Sequence, residues 1–126
     1  MQGLPFVVGI VVPSLGGLAQ VRLRRADRER AIRTVLEAFE GWFGGGTPMR
    51  IPPGGIVRLE DGTVVLDPDQ IVVVSGTTRA CFRRHRPDIA KLAERVGQLL
   101  RQESIAVLAF ATSDSLLVFP KLSKGK

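Results

Sequence analysis

Residues that often carry enzyme chemistry are scarce in this chain. Its 126 residues include one cysteine, one histidine, one tryptophan and no tyrosine. A single cysteine, Cys81, excludes a disulfide framework within the chain and is typical of a reducing, cytoplasmic environment. A structural zinc site takes four Cys or His ligands, whereas Cys81 and His85 supply only two. We therefore expect no metal site.

The glycine runs do not match known phosphate-binding loops. Residues 44–47 (GGGT) and 52–55 (PPGG) lack the Lys-Ser/Thr ending of a P-loop, and neither has the G-x-G-x-x-G pattern between a strand and a helix. Residues 44–46 also follow a predicted helix, whose carboxyl end repels anions. We therefore expect no nucleotide binding through a glycine loop, and no cofactor.

Charged side chains are absent from the first 21 residues. A transmembrane helix needs about 20 mainly apolar residues, but Pro5, Pro13 and several glycines interrupt this stretch. A secretory signal begins with basic residues, and none precedes the apolar run. The stretch instead predicts a buried strand at 6–12, followed by a glycine-rich turn, and no membrane partner.

Two segments have the periodicity of amphipathic helices. Apolar residues recur every three or four positions from Asp27, the predicted cap, to Phe43, and the glycines at 44–46 end this helix. A second apolar stripe runs to about Glu103, and Pro87 is suited to the first position of that helix. Both helices are expected to bury one face against a sheet.

Short apolar runs predict the strands of that sheet. They lie at 6–12, 56–60, 63–66, 71–75, 105–111 and 116–119. Asp61 and Gly62 separate two of these runs, which is a strong hairpin signal. We expect the Pro/Gly-rich segment 44–55 to form a surface loop. Segment 18–25 is expected to form either a short strand or an extended arm.

This order of elements predicts an α+β fold of the ferredoxin-like β-α-β-β-α-β kind. Two helices would lie on one face of a mixed, mainly antiparallel sheet with extra hairpins, and strands 6–12 and 71–75 would be central. Residues 1–120 would form a single domain, with 121–126 as a basic flexible tail. The helix-free face would carry Val and Ile side chains, so we expect a homodimer that buries it.

The chain is strongly basic, with a net charge of +6 and fourteen Arg against four Lys. Such a charge favours anionic partners, among them nucleic acid. The candidate anion-binding residues form a first basic group (Arg24, Arg25, Arg28) and a second basic group (Arg79, Arg83, Arg84, His85, Arg86). The second group falls in a predicted loop, 76–86. We expect both groups at one end of the sheet, beside both helix N-termini, where they would merge into one positive surface.

A solvated rim of arginines, whose stems cover apolar surface, is the alternative interpretation of these groups. Recognition of single-stranded bases needs aromatic platforms, and only Phe6 and Phe82 are candidates for stacking. We therefore expect contacts with phosphates rather than with bases. Cys81 and His85 lie four positions apart and could form a nucleophile–base pair, although an inert cysteine is the more ordinary outcome. Asp61 and Asp67 are interpreted as turn residues.

These residues do not determine a function. The first interpretation is a non-enzymatic, cytoplasmic binding module that homodimerises through its sheet. The alternative is a nucleic-acid-associated protein that contacts phosphates through its arginines. A third is a small dimeric α+β enzyme with a pocket between sheet and helices.

Overall fold

The computed structural model describes residues 2–3, 6–17, 21–50, 55–58, 62, 64–112 and 116–117. In chain order the elements are β1 (Gln2–Gly3), β2 (Phe6–Val12), β3 (Leu15–Gly16), β4 (Val21–Arg22), α1 (Arg25–Phe43), β5 (Thr47–Arg50), β6 (Gly55–Arg58), β7 (Val64–Asp67), β8 (Ile71–Thr77), α2 (Arg79–Leu99), β9 (Val107–Ala111) and β10 (Leu116–Leu117). Neither α1 nor α2, the helices within these ranges, has an apolar stretch long enough to cross a bilayer.

Among the described residues, the main sheet has four strands in the order β5-β8-β2-β9, and each neighbouring pair is antiparallel. Helix α1 follows β2, and α2 follows β8. This is the β-α-β-β-α-β arrangement of ferredoxin-like folds, which confirms the predicted α+β class. Strands β2 and β8 are central, as their apolar runs predicted. The pairs β1–β10, β3–β4 and β6–β7 form small two-stranded sheets beside it.

Both helices cover the same face of the main sheet. The side chains that meet there are Val8, Ile10, Val12 and Val73 from the sheet, Ala31, Val35 and Phe39 from α1, and Ile89, Leu92, Val96 and Leu100 from α2 and its end. Alternate residues of β2 point to this core because side chains alternate along a strand. Each large apolar side chain buried there contributes about 1.5–3 kcal/mol to folding.

Helix α1 ends where predicted and begins slightly earlier. Gly44 follows Phe43 with φ 87, a left-handed conformation that glycine adopts without strain. Arg24, rather than Asp27, occupies the N-cap position, and Asp27 lies in the first turn. Its carboxylate is still favourable there because it faces the positive end of the helix dipole.

The predicted loop at 76–86 is wrong, because helix α2 begins at Arg79. The Thr78 side chain accepts a hydrogen bond from the Cys81 backbone N–H at 3.1 Å and so caps the helix. Pro87 consequently lies inside α2 rather than at its first position. A proline in a helix interior costs about 3 kcal/mol, and packing of residues such as Ile89 against the sheet offsets this cost.

The interpretation of 44–55 as a loop is also wrong, because β5 forms the edge of the main sheet within it. An edge strand tolerates Pro48 because one side of such a strand has no ladder hydrogen bonds to lose. The predicted hairpin forms as β6 and β7, but it pairs separately from the main sheet. Within segment 18–25, the strand is β4, which pairs with β3. Asp61 and the tail 121–126 lie outside the described residues.

Candidate functional site

The two basic groups lie at opposite ends of the sheet. Strands β2 and β8 are antiparallel, with Val12 opposite Ile71 and Phe6 opposite Thr77. Helix α1 therefore starts from the Val12 end of the sheet, and α2 starts from the Thr77 end. The prediction of one merged positive surface is wrong, because it required these two strands to run in the same direction.

In the first basic group, both exposed arginines have acidic partners. Arg24 Nε lies 3.0 Å from Asp27 Oδ2, and Arg25 Nε lies 2.9 Å from Glu29 Oε1. The hydrogen bond from Arg24 is the main cause that lowers the pKa of Asp27, opposed by partial burial of the carboxyl. These pairs neutralise the charges of Arg24 and Arg25.

Asp27 should therefore titrate differently when Arg24 is removed. A lowered pKa in the folded state means that the pair contributes stability above the ordinary carboxyl value of 3.8. That contribution is lost as the pH falls through the lowered pKa. We expect Arg24→Ala to raise the pKa of Asp27 towards 3.8, as measured by NMR titration of the side-chain carboxyl. An unchanged titration curve in Arg24→Ala would disprove the coupling.

Arg28 has a structural role, because its side chain bonds to other parts of the chain. Its guanidinium donates to Asp69 Oδ2 at 3.1 Å, to the Asp69 carbonyl at 2.6 Å and to the Pro13 carbonyl at 3.1 Å. The side chain is 14% exposed. Arg28 thus joins α1 to the turns that follow β2 and β7.

In the second basic group, three arginines line a groove between α2 and β9. Its volume is about 560 Å³. Arg79, Arg83 and Arg86 follow the i, i+4, i+7 spacing that places side chains on one face of a helix. The apolar lining consists of Phe6, Phe82, Ile89, Ala90, Val107 and Ala109. The groove therefore combines a cationic rim with an apolar wall.

Two aromatic rings lie beside these arginines. The ring centroids of Phe6 and Phe82 are 5.1 Å apart, with an interplanar angle of 35°. The Arg79 guanidinium carbon lies 5.2 Å from the centroid of the Phe6 ring, which is a cation–π distance. Phe6 and Phe82 were the residues that the sequence identified for stacking, and the fold brings them together within the groove.

The groove arginines form no ion pair in the part of the chain that the structure describes. No described carboxylate forms an ion pair with Arg79, Arg83, Arg84 or Arg86. The first turn of α2 also contains no acidic residue. Cations near a helix N-terminus are unfavourable, and like charges four positions apart repel each other. A bound anion would relieve both effects.

The other candidate residues of this segment, Cys81, Arg84 and His85, do not line the groove. His85 stacks on Trp42, with ring centroids 5.5 Å apart and an interplanar angle of 18°. The Cys81 thiol contacts the Trp42 carbonyl at 3.5 Å, and no hydrogen bond joins Cys81 to His85, both of which are described. Both side chains therefore pack towards α1, and the proposed nucleophile–base pair is not formed.

The apolar wall was missed at the sequence level. From the sequence, Ile89, Val107 and Ala109 were interpreted as ordinary core positions of a helix and a strand. The spacing of Arg79, Arg83 and Arg86 would have placed them on one surface if α2 had been extended back to Thr78. The signal for that extension was Thr78 itself, a favourable N-cap residue.

These features define a ferredoxin-like α+β domain with a cationic groove between its second helix and an edge strand. Solved structures with the same fold include the divalent cation tolerance protein Cut A1 of Thermus thermophilus, with a TM-score of 0.52 and 22% identity over 88% of this chain and 86% of that one. They also include a phage SAM lyase in complex with S-methyl-5'-thioadenosine, with a TM-score of 0.54 and 15% identity over 88% and 84% of the respective chains.

CutA1 of Pyrococcus horikoshii has a similar fold too, with a TM-score of 0.51 and 15% identity over 88% of this chain and 86% of that one. At these identities the similarity establishes the fold alone. No protein-family model matches the chain, and no curated protein matches its sequence.

Proposed function

We propose that this chain is a non-enzymatic cytoplasmic binding module that works as a homodimer, joined through the helix-free face of its main sheet. We call this the outer face. Its apolar side chains are Val7 and Val11 of β2, Val72 and Val74 of β8, Leu108 and Phe110 of β9, and Met49 of β5. The observation that carries the proposal is that no outward position of these four described strands bears a charge.

Several of these side chains are far more exposed than a solitary domain favours. Phe110 is 52% exposed, Met49 51% and Leu108 40%. Contiguous apolar surface of this kind marks an interaction site. A second copy is the occupant that fits best, because a patch without charged residues can face its own copy without bringing like charges together, even in a chain of net charge +6. A twofold interface uses the same patch on both subunits.

The dimer is testable by the mass of the protein in solution. Light scattering coupled to size exclusion should give about twice the subunit mass of 13.7 kDa. Leu108→Glu places a charge on the outer face and should yield monomers, since an unpaired charge buried in an interface costs several kcal/mol. The matched control is Ala111→Glu, which adds the same charge to the same strand on the opposite face and should remain dimeric.

A monomeric native chain would overturn this proposal, as would dissociation caused equally by Ala111→Glu. If the native chain formed a larger ring and Leu108→Glu dissociated it, the outer face would still be the interface, but the proposed dimer would be wrong. Circular dichroism of each variant separates loss of association from loss of folding.

A second candidate function is binding to nucleic-acid phosphates through the second basic group. It is supported by the absence of a described acidic partner for Arg79, Arg83, Arg84 and Arg86. Contacts of this kind weaken steeply as salt is added, because each neutralised phosphate releases counterions. Exposed arginines on either side of α2 would then contribute comparably.

A further inference from the structure

We propose that the groove between α2 and β9 binds a nucleoside monophosphate, with the phosphate held by Arg79, Arg83 and Arg86 and the base against Phe82, whose ring packs on the buried Phe6. This inference rests on the anion binding proposed above and narrows it from a nucleic-acid strand to a single nucleotide unit. It does not depend on the dimer, because every lining residue belongs to one subunit.

The charge of the rim selects an anion. Three guanidinium groups converge on one groove, and none has a described carboxylate partner. Guanidinium groups bind phosphate through two parallel hydrogen bonds, which makes arginine the preferred residue for this recognition. The N-terminal turns of α2 add the positive end of a helix dipole at the same place. A phosphate would thus replace mutual repulsion with attraction.

The apolar wall selects a ligand with a flat, uncharged part. A bare phosphate would use only the arginines and leave Phe82 and Val107 facing water. Bases pack on aromatic side chains without regard to their identity. The partly exposed Phe82 offers such a ring, and it is held in place by the buried Phe6, whose ring lies 5.1 Å away between centroids and also contacts the Arg79 guanidinium. The two surfaces together match a phosphate linked to a ring.

The size of the groove favours one nucleotide over a long strand. Its volume of about 560 Å³ lies within the range of small-molecule sites. Arg79 and Arg86 are seven residues apart, which corresponds to about 10 Å along a helix. Long arginine side chains can close that distance to reach one phosphate placed between them, whereas a strand would need a positive track that continues beyond the groove.

The test is isothermal titration calorimetry of the full chain at low salt with the four ribonucleoside 5'-monophosphates, ribose 5-phosphate, adenosine and a single-stranded oligonucleotide. We expect at least one monophosphate to bind, and both ribose 5-phosphate and adenosine to bind about 10-fold more weakly or worse, since each lacks one of the two contacts. Arg83→Ala should weaken the monophosphate by about 10-fold or more.

Three variants make the result specific. Arg84→Ala removes the same charge from the same helix outside the groove, and it should change monophosphate affinity by less than about 2-fold. Phe82→Leu should weaken the monophosphate and leave ribose 5-phosphate unchanged, a difference that a general folding defect would not produce. Leu108→Glu, which lies on the outer face, should retain binding as a monomer.

Each alternative outcome is distinguishable. Oligonucleotide binding that Arg84→Ala and Arg83→Ala weaken equally would support the second candidate function and overturn the single-nucleotide site. Equal affinity for ribose 5-phosphate and the monophosphates would overturn the role of the aromatic wall. No binding of any probe would overturn both the groove and the nucleic-acid candidate, and would leave the dimer proposal standing.

Discussion

Replacement of Asp67 by alanine is expected to lower the free energy of unfolding by about 3 kcal/mol. The carboxylate is 1% exposed and accepts hydrogen bonds from the Ser14 backbone N–H at 2.8 Å, from the Ser14 hydroxyl and from the Asp69 N–H at 3.1 Å. Alanine would leave both donors of Ser14 buried without this partner, and each such group costs about 1–3 kcal/mol. Urea denaturation, followed by the fluorescence of Trp42, measures the loss.

Two comparisons identify the cause of that loss. Asp88→Ala removes an exposed carboxylate that lies 3.3 Å from His85 Nδ1, and it should change stability by less than about 0.5 kcal/mol. The double variant Ser14→Ala/Asp67→Ala should lose clearly less than the sum of the single variants, because the two residues share the same bonds. A loss below about 1 kcal/mol in Asp67→Ala would contradict the argument.

Asp67 also shows how far local sequence patterns reach. The sequence predicted a turn residue, and the hydrogen bond from the Asp69 N–H to its carboxylate confirms that local role. Its stronger contacts are with Ser14, 53 residues earlier in the chain. Nothing in the spacing of apolar or turn residues encodes that partner, because it depends on how the whole sheet is assembled.

The central strands and the apolar stripes of both helices were predictable, because the patterns that produce them are local in the sequence. The run at 6–12 and the stripe from Ala31 to Phe39 are periodic patterns that a strand or helix must have to bury one or both faces. The start of α2 was not predictable from the sequence. Pro87 is suited to the first position of a helix, but in this fold it lies in the interior of one. The Thr78 cap and the packing of Phe82 decided between the two.

The candidate site depended on strand direction, which the predicted ferredoxin-like arrangement already fixes: β2 and β8 run antiparallel in it, so the two helices start from opposite ends of the sheet. Both basic groups were recognised, but whether they meet depends on whether β2 and β8 run parallel or antiparallel. The groove itself unites Phe6, the first half of α2 and two residues of β9, three segments far apart in the chain. The two groups also differ in charge pairing. Arg24 and Arg25 form ion pairs with carboxylates three or four residues away, whereas Arg83 forms no ion pair with a described carboxylate.

Gly16→Ala is expected to destabilise the protein by about 3 kcal/mol or more through overpacking. A Cβ atom at this position would clash with the Leu100 carbonyl oxygen and would lie 2.6 Å from Leu23 Cδ2 and 2.8 Å from Gln102 Nε2. The first of these atoms belongs to the backbone at the end of α2, so it cannot move without shifting the helix. Thermal and urea denaturation of the variant measure the effect.

Gly41→Ala is the matched control, because a Cβ atom at that exposed position of α1 would meet nothing within 4 Å. It should stabilise the protein by about 0.5–1 kcal/mol, since alanine restricts the unfolded chain and favours the helix. Gln102→Ala in the Gly16→Ala background removes one obstructing side chain but leaves the Leu100 carbonyl in place. If that double variant recovered full stability, the clash would lie with the side chain, and the close backbone approach at Gly16 would not be what requires glycine.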